Sequence, residues 1–154
     1  MANTYTQIYI QLVFVVKNRQ SIIEESNRKR IESYICGITK NLKCTPLSIY
    51  CNPDHTHFLI NMSPDISVAE VAKYIKGFSS RFINDNNLTA EHFQWQPGYG
   101  AFSYSKAHIE KVYNYIKNQP VHHRNNTFKE EYLSLLESSN VNYNEKYLFD
   151  WIID

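Results

Sequence analysis

The sequence is poor in the residues that mark linkers, disulfide frameworks and zinc knuckles. Four glycines and five prolines in 154 residues argue against a low-complexity chain, and this length suits one domain with a substantial core. The three cysteines are odd in number and lack a CxxC spacing, a pattern typical of reduced thiols. We therefore expect a single domain in a cytoplasmic protein.

Long apolar runs are equally scarce. The longest covers residues 8–16 and is interrupted by Gln11. It has no basic segment before it and no small-residue cleavage site after it, and it is too short to span a bilayer. The run therefore predicts a β-strand and argues against a signal peptide or a membrane span.

The net charge of +1 conceals an asymmetry along the chain. Residues 1–129 hold 15 Lys and Arg against 9 Asp and Glu, whereas residues 130–154 hold 1 against 6. A moderately basic body with an acidic tail is compatible with a phosphate-backbone partner. We expect a main domain over residues 1–129 and an acidic C-terminal extension, residues 130–154, packed on the same domain.

Apolar periodicity predicts elements in the order β-α-β-β-α-β, followed by further helices. The expected strands cover residues 5–16, 46–51, 55–62 and 100–104, and the expected helices cover residues 26–42, 67–87, 106–119 and 128–136. Ser67 and Glu70 form an S-x-x-E capping box at the start of the second helix. This order predicts an α+β fold of the ferredoxin-like or RRM-like split βαβ type, an antiparallel sheet with helices on one face.

The segment NPDHTHFLIN places two histidines one residue apart on a predicted strand. Side chains alternate along a strand, so His55 and His57 point to one face and Thr56 to the other. Imidazole is a common metal ligand and this spacing suits a single ion, but strand histidines are also often structural. The spacing alone leaves both interpretations open.

A second polar group is predicted on the helix over residues 106–119. At about 100° per residue, His108, Tyr115 and Gln119 fall together beside the apolar stripe. Tyr115 and Gln119 are four residues apart, so they can present a hydroxyl and an amide oxygen to one point. The chain has twelve tyrosines, and a tyrosine at a helix edge usually packs its ring, so periodicity assigns no role to this one.

Several separated motifs together resemble a known family. PDHTHFLI, IKGFSSRFI, FQWQPGYGAFS and YIKNQPVHHR occur in this order between about Thr4 and Phe128. They resemble the single-tyrosine HUH transposases of bacterial insertion sequences, and more narrowly the insertion sequence 200/605 group. Thr56 departs from the pattern, because the family usually has a bulky apolar residue there, and a buried hydroxyl needs a hydrogen-bond partner.

The resemblance implies a set of site residues. It assigns the nucleophile to Tyr115 and the metal ligands to His55, His57 and Gln119. Tyr113 competes with Tyr115 by identity. We favour Tyr115, because Tyr113 lies on the apolar stripe and has Lys117, not an oxygen ligand, four residues on.

The resemblance also implies the reaction and the partners. With a divalent metal, Mg²⁺ or Mn²⁺, Tyr115 would cleave single-stranded DNA through a 5′-phosphotyrosine intermediate, and a 3′-hydroxyl could rejoin the strand without ATP. The expected substrate is single-stranded DNA with a subterminal hairpin. The expected assembly is a homodimer in which the tyrosine helix of one subunit can complete the histidine site of the other.

Basic residues on the predicted second helix are candidates for DNA binding. These are Lys73, Lys76 and Arg81, with Trp95 and Tyr99 nearby in sequence. Cations interleaved with aromatic rings suit a single strand, although a solvated helix face gives the same pattern. Two other functions stay open: a domesticated relative acting on chromosomal repeats with the same chemistry, and a non-catalytic RNA-binding module of the RRM type.

Overall fold

A computed structural model describes residues 3–122 and 127–142, which form a four-stranded antiparallel sheet with helices packed against it. The strands are β1 (Tyr9–Val15), β2 (Thr45–Cys51), β3 (His55–Asn61) and β4 (Gly100–Tyr104). The helices are α1 (Glu25–Asn41), α2 (Val68–Asp85), α3 (Lys106–Lys117), α4 (Gln119–His122) and α5 (Phe128–Ser138), with a short 3-10 turn at Lys17–Arg19.

The strand order across the sheet is β2-β3-β1-β4, with β1 and β3 in the centre. Their antiparallel register sets Val13 opposite His57 and Val15 opposite His55. Since β1-α1-β2 and β3-α2-β4 are the two halves of the split βαβ plan, the predicted fold class is confirmed. The main difference in bounds is β1, which begins at Tyr9 and not at residue 5.

Helices α1 and α2 cover one face of the sheet, here called the core face. Its strand side chains include Leu12, Phe14, Phe58 and Ile60, all fully buried. They pack against an apolar stripe on the two helices, made of Ile31, Ile35, Ile38, Val71, Ala72, Ile75 and Ile83. Burying each such large side chain contributes about 1.5 to 3 kcal/mol, so this layer is the main source of hydrophobic stability.

The opposite face of the sheet, here called the site face, is covered by α3 and α5. Its apolar cluster is smaller and consists of Val13, Val15 and Phe102 with Phe128, Tyr132 and Leu136. Helix α3 lies against β2, β3 and β4. The prediction of helices on one face thus holds for α1 and α2. The structure adds a second helical layer, α3 and α5, which covers the side chains of the site face.

Helix α5 crosses the boundary predicted at residue 129, since it runs from Phe128 to Ser138. Thr127 caps it by accepting a hydrogen bond from the Glu130 backbone N–H at 3.2 Å. The rest of the predicted extension, residues 143–154, lies outside the described residues. None of the described helices is long and apolar enough to cross a membrane.

Candidate active site

The two histidines of β3 lie side by side on the site face. His55 and His57 are 2% and 0% exposed, and their ring centroids are 5.2 Å apart with nearly perpendicular planes. Thr56 points to the core face between them. The alternation expected of a strand therefore brings both imidazoles to one enclosed place.

Each imidazole is oriented through its Nδ1 atom. His55 Nδ1 lies 2.7 Å from Asp54 Oδ1, and Asp54 in turn pairs with Arg19 at 3.4 Å. His57 Nδ1 lies 2.7 Å from Gln11 Oε1, on the neighbouring strand β1. An acceptor at Nδ1 holds the ring proton there and frees Nε2 to bind a cation, which is the usual arrangement around metal-binding histidines.

A carboxylate from α5 meets both histidines at their Nε2 atoms. Glu131 Oε1 lies 2.6 Å from His57 Nε2 and 3.7 Å from His55 Nε2. The three side chains offer ligand atoms that all lie within 4.8 Å of one another. His55, His57 and Glu131 therefore form a group that could hold a metal ion, and Glu131 is the member that sequence reasoning missed.

Tyr115 and Gln119 reach the same cluster from the other side. The Tyr115 hydroxyl donates a hydrogen bond to Glu131 Oε2, and its ring meets that of His57 edge to face. Gln119 is fully buried, and its Nε2 donates to Glu131 Oε2 at 3.3 Å, while its Oε1 accepts from Asn52 Nδ2 at 3.0 Å. The structure thus brings all four predicted residues together, but the Gln119 oxygen is directed at Asn52.

Tyr113 lies away from this cluster. The Lys117 ammonium group lies over the Tyr113 ring, 4.5 Å from its centroid, and the Tyr113 backbone carbonyl accepts a hydrogen bond from the Ser48 hydroxyl. His108 is also elsewhere, exposed at the start of α3, with its Nδ1 2.8 Å from the Ser105 hydroxyl. Of the two tyrosines that α3 offers, Tyr115 is the one beside the histidines.

Burial and close charges set the protonation of the cluster. Burial opposes ionisation of Glu131, but its contacts with His55 and His57 and the hydrogen bond from Tyr115 hold its pKa well below the usual range. Burial and the Glu131 carboxylate both raise the pKa of Tyr115. The hydroxyl is therefore protonated here, and a cation close to it would be needed to offset these effects.

The pKa values of the two histidines shift in opposite directions. Burial disfavours the charged form of His55, but its contacts with Asp54 and Glu131 outweigh burial and raise its pKa. For His57, which is fully buried, desolvation prevails and lowers the pKa. A neutral imidazole is the form that binds metals, so the shift at His57 favours that form and the shift at His55 opposes it.

A groove opens beside Tyr115 on the site face. Its volume is about 380 Å³, and it is lined by Gln11, Tyr104, Lys111, Val112, Tyr115 and Leu135. Gln11, which orients His57 through its Oε1, also donates through its Nε2 to the Tyr104 hydroxyl at 2.7 Å. One side chain therefore belongs both to the groove wall and to the histidine site. The groove therefore gives an approach to the tyrosine with an exposed lysine at its edge.

The candidate DNA-binding cations lie on α2, across the sheet from Tyr115. Lys73 and Arg81 are exposed and flank Tyr74 and Phe78, whose rings stack with centroids 6.1 Å apart. Lys76 differs, because it is partly buried and its ammonium group donates to two backbone carbonyls, at 2.7 and 2.8 Å, in the turn before β4. Lys76 thus holds a turn, whereas the other two are open to solvent.

Thr56, the residue that departs from the motif, is fully buried on the core face opposite Cys51. Within the described residues, its hydroxyl oxygen has no hydrogen-bond partner. The departure from the family pattern therefore affects packing behind the histidines and leaves their Nε2 atoms untouched.

The chain is similar to known transposases in sequence. A family model described as "Transposase IS200 like" matches residues 4–119. The transposases for insertion sequence element IS200 of Salmonella typhimurium strain LT2 and of Salmonella typhi are each 26% identical over 124 residues, spanning 77% of this chain and 81% of theirs.

The fold is similar to two solved structures. A proposed transposase from Deinococcus radiodurans R1 has a TM-score of 0.60 and 18% identity, covering 77% of this chain and 96% of that one. A REP-associated tyrosine transposase bound to a REP hairpin has a TM-score of 0.60 and 15% identity, covering 80% and 73%. At these identities the likeness shows the fold alone.

The family match includes four of the clustered side chains and excludes the fifth. His55, His57, Tyr115 and Gln119 lie inside residues 4–119, whereas Glu131 lies beyond them. The match spans most of the chain, and the predicted family is confirmed. The chain belongs to the family of IS200-like transposases, which are DNA-cleaving enzymes.

Proposed function

We propose that this chain cleaves and rejoins single-stranded DNA at insertion-sequence ends, with Tyr115 as the nucleophile and a divalent metal ion at the histidine pair. One observation carries the proposal: the Tyr115 hydroxyl and both histidine Nε2 atoms converge on the single buried carboxylate of Glu131. A nucleophile beside a potential cation site is the arrangement that tyrosine-mediated cleavage of a phosphodiester requires.

The donor set fits a divalent ion. His55 and His57 would bind it through Nε2, since Asp54 and Gln11 hold their Nδ1 atoms. The family pattern offers the amide oxygen of Gln119 as a third ligand, although that oxygen accepts from Asn52 in this structure. Imidazole nitrogens with oxygen ligands suit Mn²⁺ and are compatible with Mg²⁺. When bound, such an ion polarises the scissile phosphate and offsets negative charge in the transition state.

The chain's own groups account for the covalent step. The Tyr115 oxygen attacks phosphorus, an O–P bond forms, and the bond from phosphorus to the 3′ oxygen of the leaving strand breaks. The hydroxyl passes its proton to Glu131 Oε2, to which it already donates, and the leaving 3′ oxygen takes up one proton from water to become a hydroxyl, while Glu131 returns its proton to solvent. The 5′-phosphotyrosine link keeps the phosphodiester energy, so a second 3′-hydroxyl can reverse the reaction on another strand.

The proposed partner is single-stranded DNA with a subterminal hairpin. A hairpin is what the REP-associated transposase of similar fold binds, and the groove beside Tyr115 offers this chain's own approach for a strand. Lys73 and Arg81 are proposed to contact DNA remote from the scissile phosphate, and Lys76 is proposed to support this surface by holding the turn before β4. The predicted homodimer is kept as a proposal, and Tyr115 here meets the histidines of its own chain.

The test is a covalent adduct between protein and DNA. The protein is incubated with Mn²⁺ or Mg²⁺ and single strands from the ends of its own locus, and the products are separated under denaturing conditions. We expect an adduct with the wild type and with Tyr113→Phe, and none with Tyr115→Phe. An adduct that survives in Tyr115→Phe and disappears in Tyr113→Phe would overturn the assignment.

A further inference from the structure

We propose that Glu131, on α5, binds the metal ion through one carboxylate oxygen and holds the Tyr115 hydroxyl with the other. This inference rests on the proposed function, because it takes a metal site at His55 and His57 as its starting point. It assigns the third protein ligand to a residue beyond the part of the chain that the family model matches.

The position of Glu131 Oε1 suits a ligand. Ligands at right angles around an ion, with bonds of about 2.1 Å, lie about 3 Å from one another. Glu131 Oε1 is 2.6 Å from His57 Nε2 and 3.7 Å from His55 Nε2, and these distances bracket that value. The ligand atoms of all three side chains lie within 4.8 Å of one another, so side-chain movement alone could place them around one ion.

The second oxygen of the same carboxylate faces the nucleophile. Glu131 Oε2 accepts hydrogen bonds from the Tyr115 hydroxyl and from Gln119 Nε2. The carboxylate thus spans from the histidine nitrogens to the tyrosine oxygen and sets the distance between them. A bridging carboxylate of this kind orients the nucleophile beside the cation that must offset its charge.

Gln119 takes a supporting position in this arrangement. Its Oε1 accepts from Asn52 Nδ2 at 3.0 Å, and the same Asn52 nitrogen lies 3.2 Å from His55 Nε2. Its Nε2–H donates to Glu131 Oε2 at 3.3 Å, and the same side chain also hydrogen-bonds Tyr115. We therefore infer that Gln119 positions the carboxylate.

Packing fixes the carboxylate in place. The Phe128 ring stacks on the His55 ring with centroids 3.8 Å apart, and Tyr132 is buried against the sheet. Glu131, between them on α5, has only 5% of its side chain exposed. Burying a carboxylate lowers stability unless it is paired or coordinates a metal. The neighbours of Glu131 are His55 and His57, two side chains that can bind a metal ion.

Direct Mn²⁺ binding tests the inference without relying on activity. Free Mn²⁺ is measured by electron paramagnetic resonance as it is titrated into the wild type, Glu131→Gln and Glu137→Gln. Glu137 is exposed on the same helix, so it gives the same charge change away from the site. We expect Glu131→Gln to weaken Mn²⁺ binding by about 10-fold or more, a loss typical of changes around a metal site, and Glu137→Gln to match the wild type.

Unchanged or tighter Mn²⁺ binding by a folded Glu131→Gln variant would overturn the inference. A crystal structure of the wild type with Mn²⁺ decides the question even if that variant fails to fold: Glu131 within bonding distance supports it, and Gln119 oxygen bound in its place overturns it. A wild type that forms the Tyr115 adduct while Glu131→Gln binds Mn²⁺ normally refutes only the role of Glu131. A wild type that binds no Mn²⁺ and forms no adduct refutes the proposed function as well.

Discussion

The two faces of the sheet use the same strands for opposite purposes. On β3, Phe58 and Ile60 pack into the core face, while His55 and His57 lie on the site face. On β1, Leu12 and Phe14 face the core, while Gln11 faces the site together with Val13 and Val15. Both faces are buried, but among the described residues the histidine pair and the Glu131 carboxylate beside it all lie on the site face.

The difference shows how the fold supports a polar site. Buried imidazoles and a buried carboxylate contribute little net stability, because the loss of hydration offsets most of their attraction. The apolar layer under α1 and α2 supplies the stability that the site face lacks. Substitutions at neighbouring positions of one strand should therefore separate activity from stability.

The largest effect is expected from His57→Ala. This change removes the imidazole that lies 2.6 Å from Glu131 and 2.7 Å from Gln11. We expect cleavage to fall by about 1,000-fold or more, as for other residues that act as one unit with a nucleophile, together with loss of Mn²⁺ binding. Adduct yield and circular dichroism on the same samples make the measurement, and undiminished cleavage would show that the site face is structural.

Phe58→Ala tests the core face at the adjacent position. Phe58 is fully buried among the α1 and α2 side chains, so its truncation should lower the free energy of unfolding by about 3 to 5 kcal/mol. Urea denaturation gives this value. Cleavage per folded molecule should stay near the wild-type rate, with Phe58→Leu as the milder control, and a selective loss of cleavage would contradict the separation of the two faces.

Thr56→Val is expected to stabilise the protein. Valine has nearly the same shape as threonine and removes a buried hydroxyl oxygen that has no partner within the described residues. We expect the free energy of unfolding to rise by about 1 kcal/mol, because that desolvated group is no longer left unsatisfied. A loss of stability in thermal and urea denaturation would mean that the hydroxyl makes a useful contact with its surroundings.

The smallest effect is expected on α2. The double variant Lys73→Ala, Arg81→Ala should weaken binding of single-stranded DNA and lower its salt dependence by about 0.7 in log–log slope for each phosphate that the protein no longer neutralises. Fluorescence anisotropy over a range of salt concentrations measures both. The paired control is Lys29→Ala, Lys40→Ala on α1, also exposed. Equal effects of the two double variants would show that Lys73 and Arg81 contribute only to the overall positive charge and do not form a DNA-binding surface on α2.

Sequence patterns located the elements and one half of the site. Strand alternation placed His55 and His57 on one face, and the family motif selected Tyr115 over Tyr113, which does lie elsewhere. The placement of these side chains could be predicted because period and local spacing are properties of single elements, whereas their roles stay predictions. Whether Tyr115 meets His55 and His57 depends on how α3 and α5 pack across the sheet, and no local sequence pattern predicts that packing.

Two of the site residues that sequence analysis does not find, Gln11 and Glu131, each leave a trace in the sequence. Gln11 is the one polar residue in the apolar run of β1, on the same side as Val13. Glu131 follows Phe128 by three residues and precedes Leu135 by four, which puts a carboxylate on the apolar side of α5. The acidic composition of residues 130–154 predicts an extension, and composition does not show which acidic side chain is buried.

The attachment site of DNA on the protein tests the central role of Tyr115 most directly. Trypsin releases Tyr113 and Tyr115 in one peptide, residues 112–117, so fragment ions in mass spectrometry must locate the nucleotide within it. We expect a phosphonucleotide on Tyr115 in the wild type and an unmodified Tyr113. A modification on Tyr113, or on a residue outside α3, would contradict the proposal that the nucleophile is the tyrosine held by Glu131.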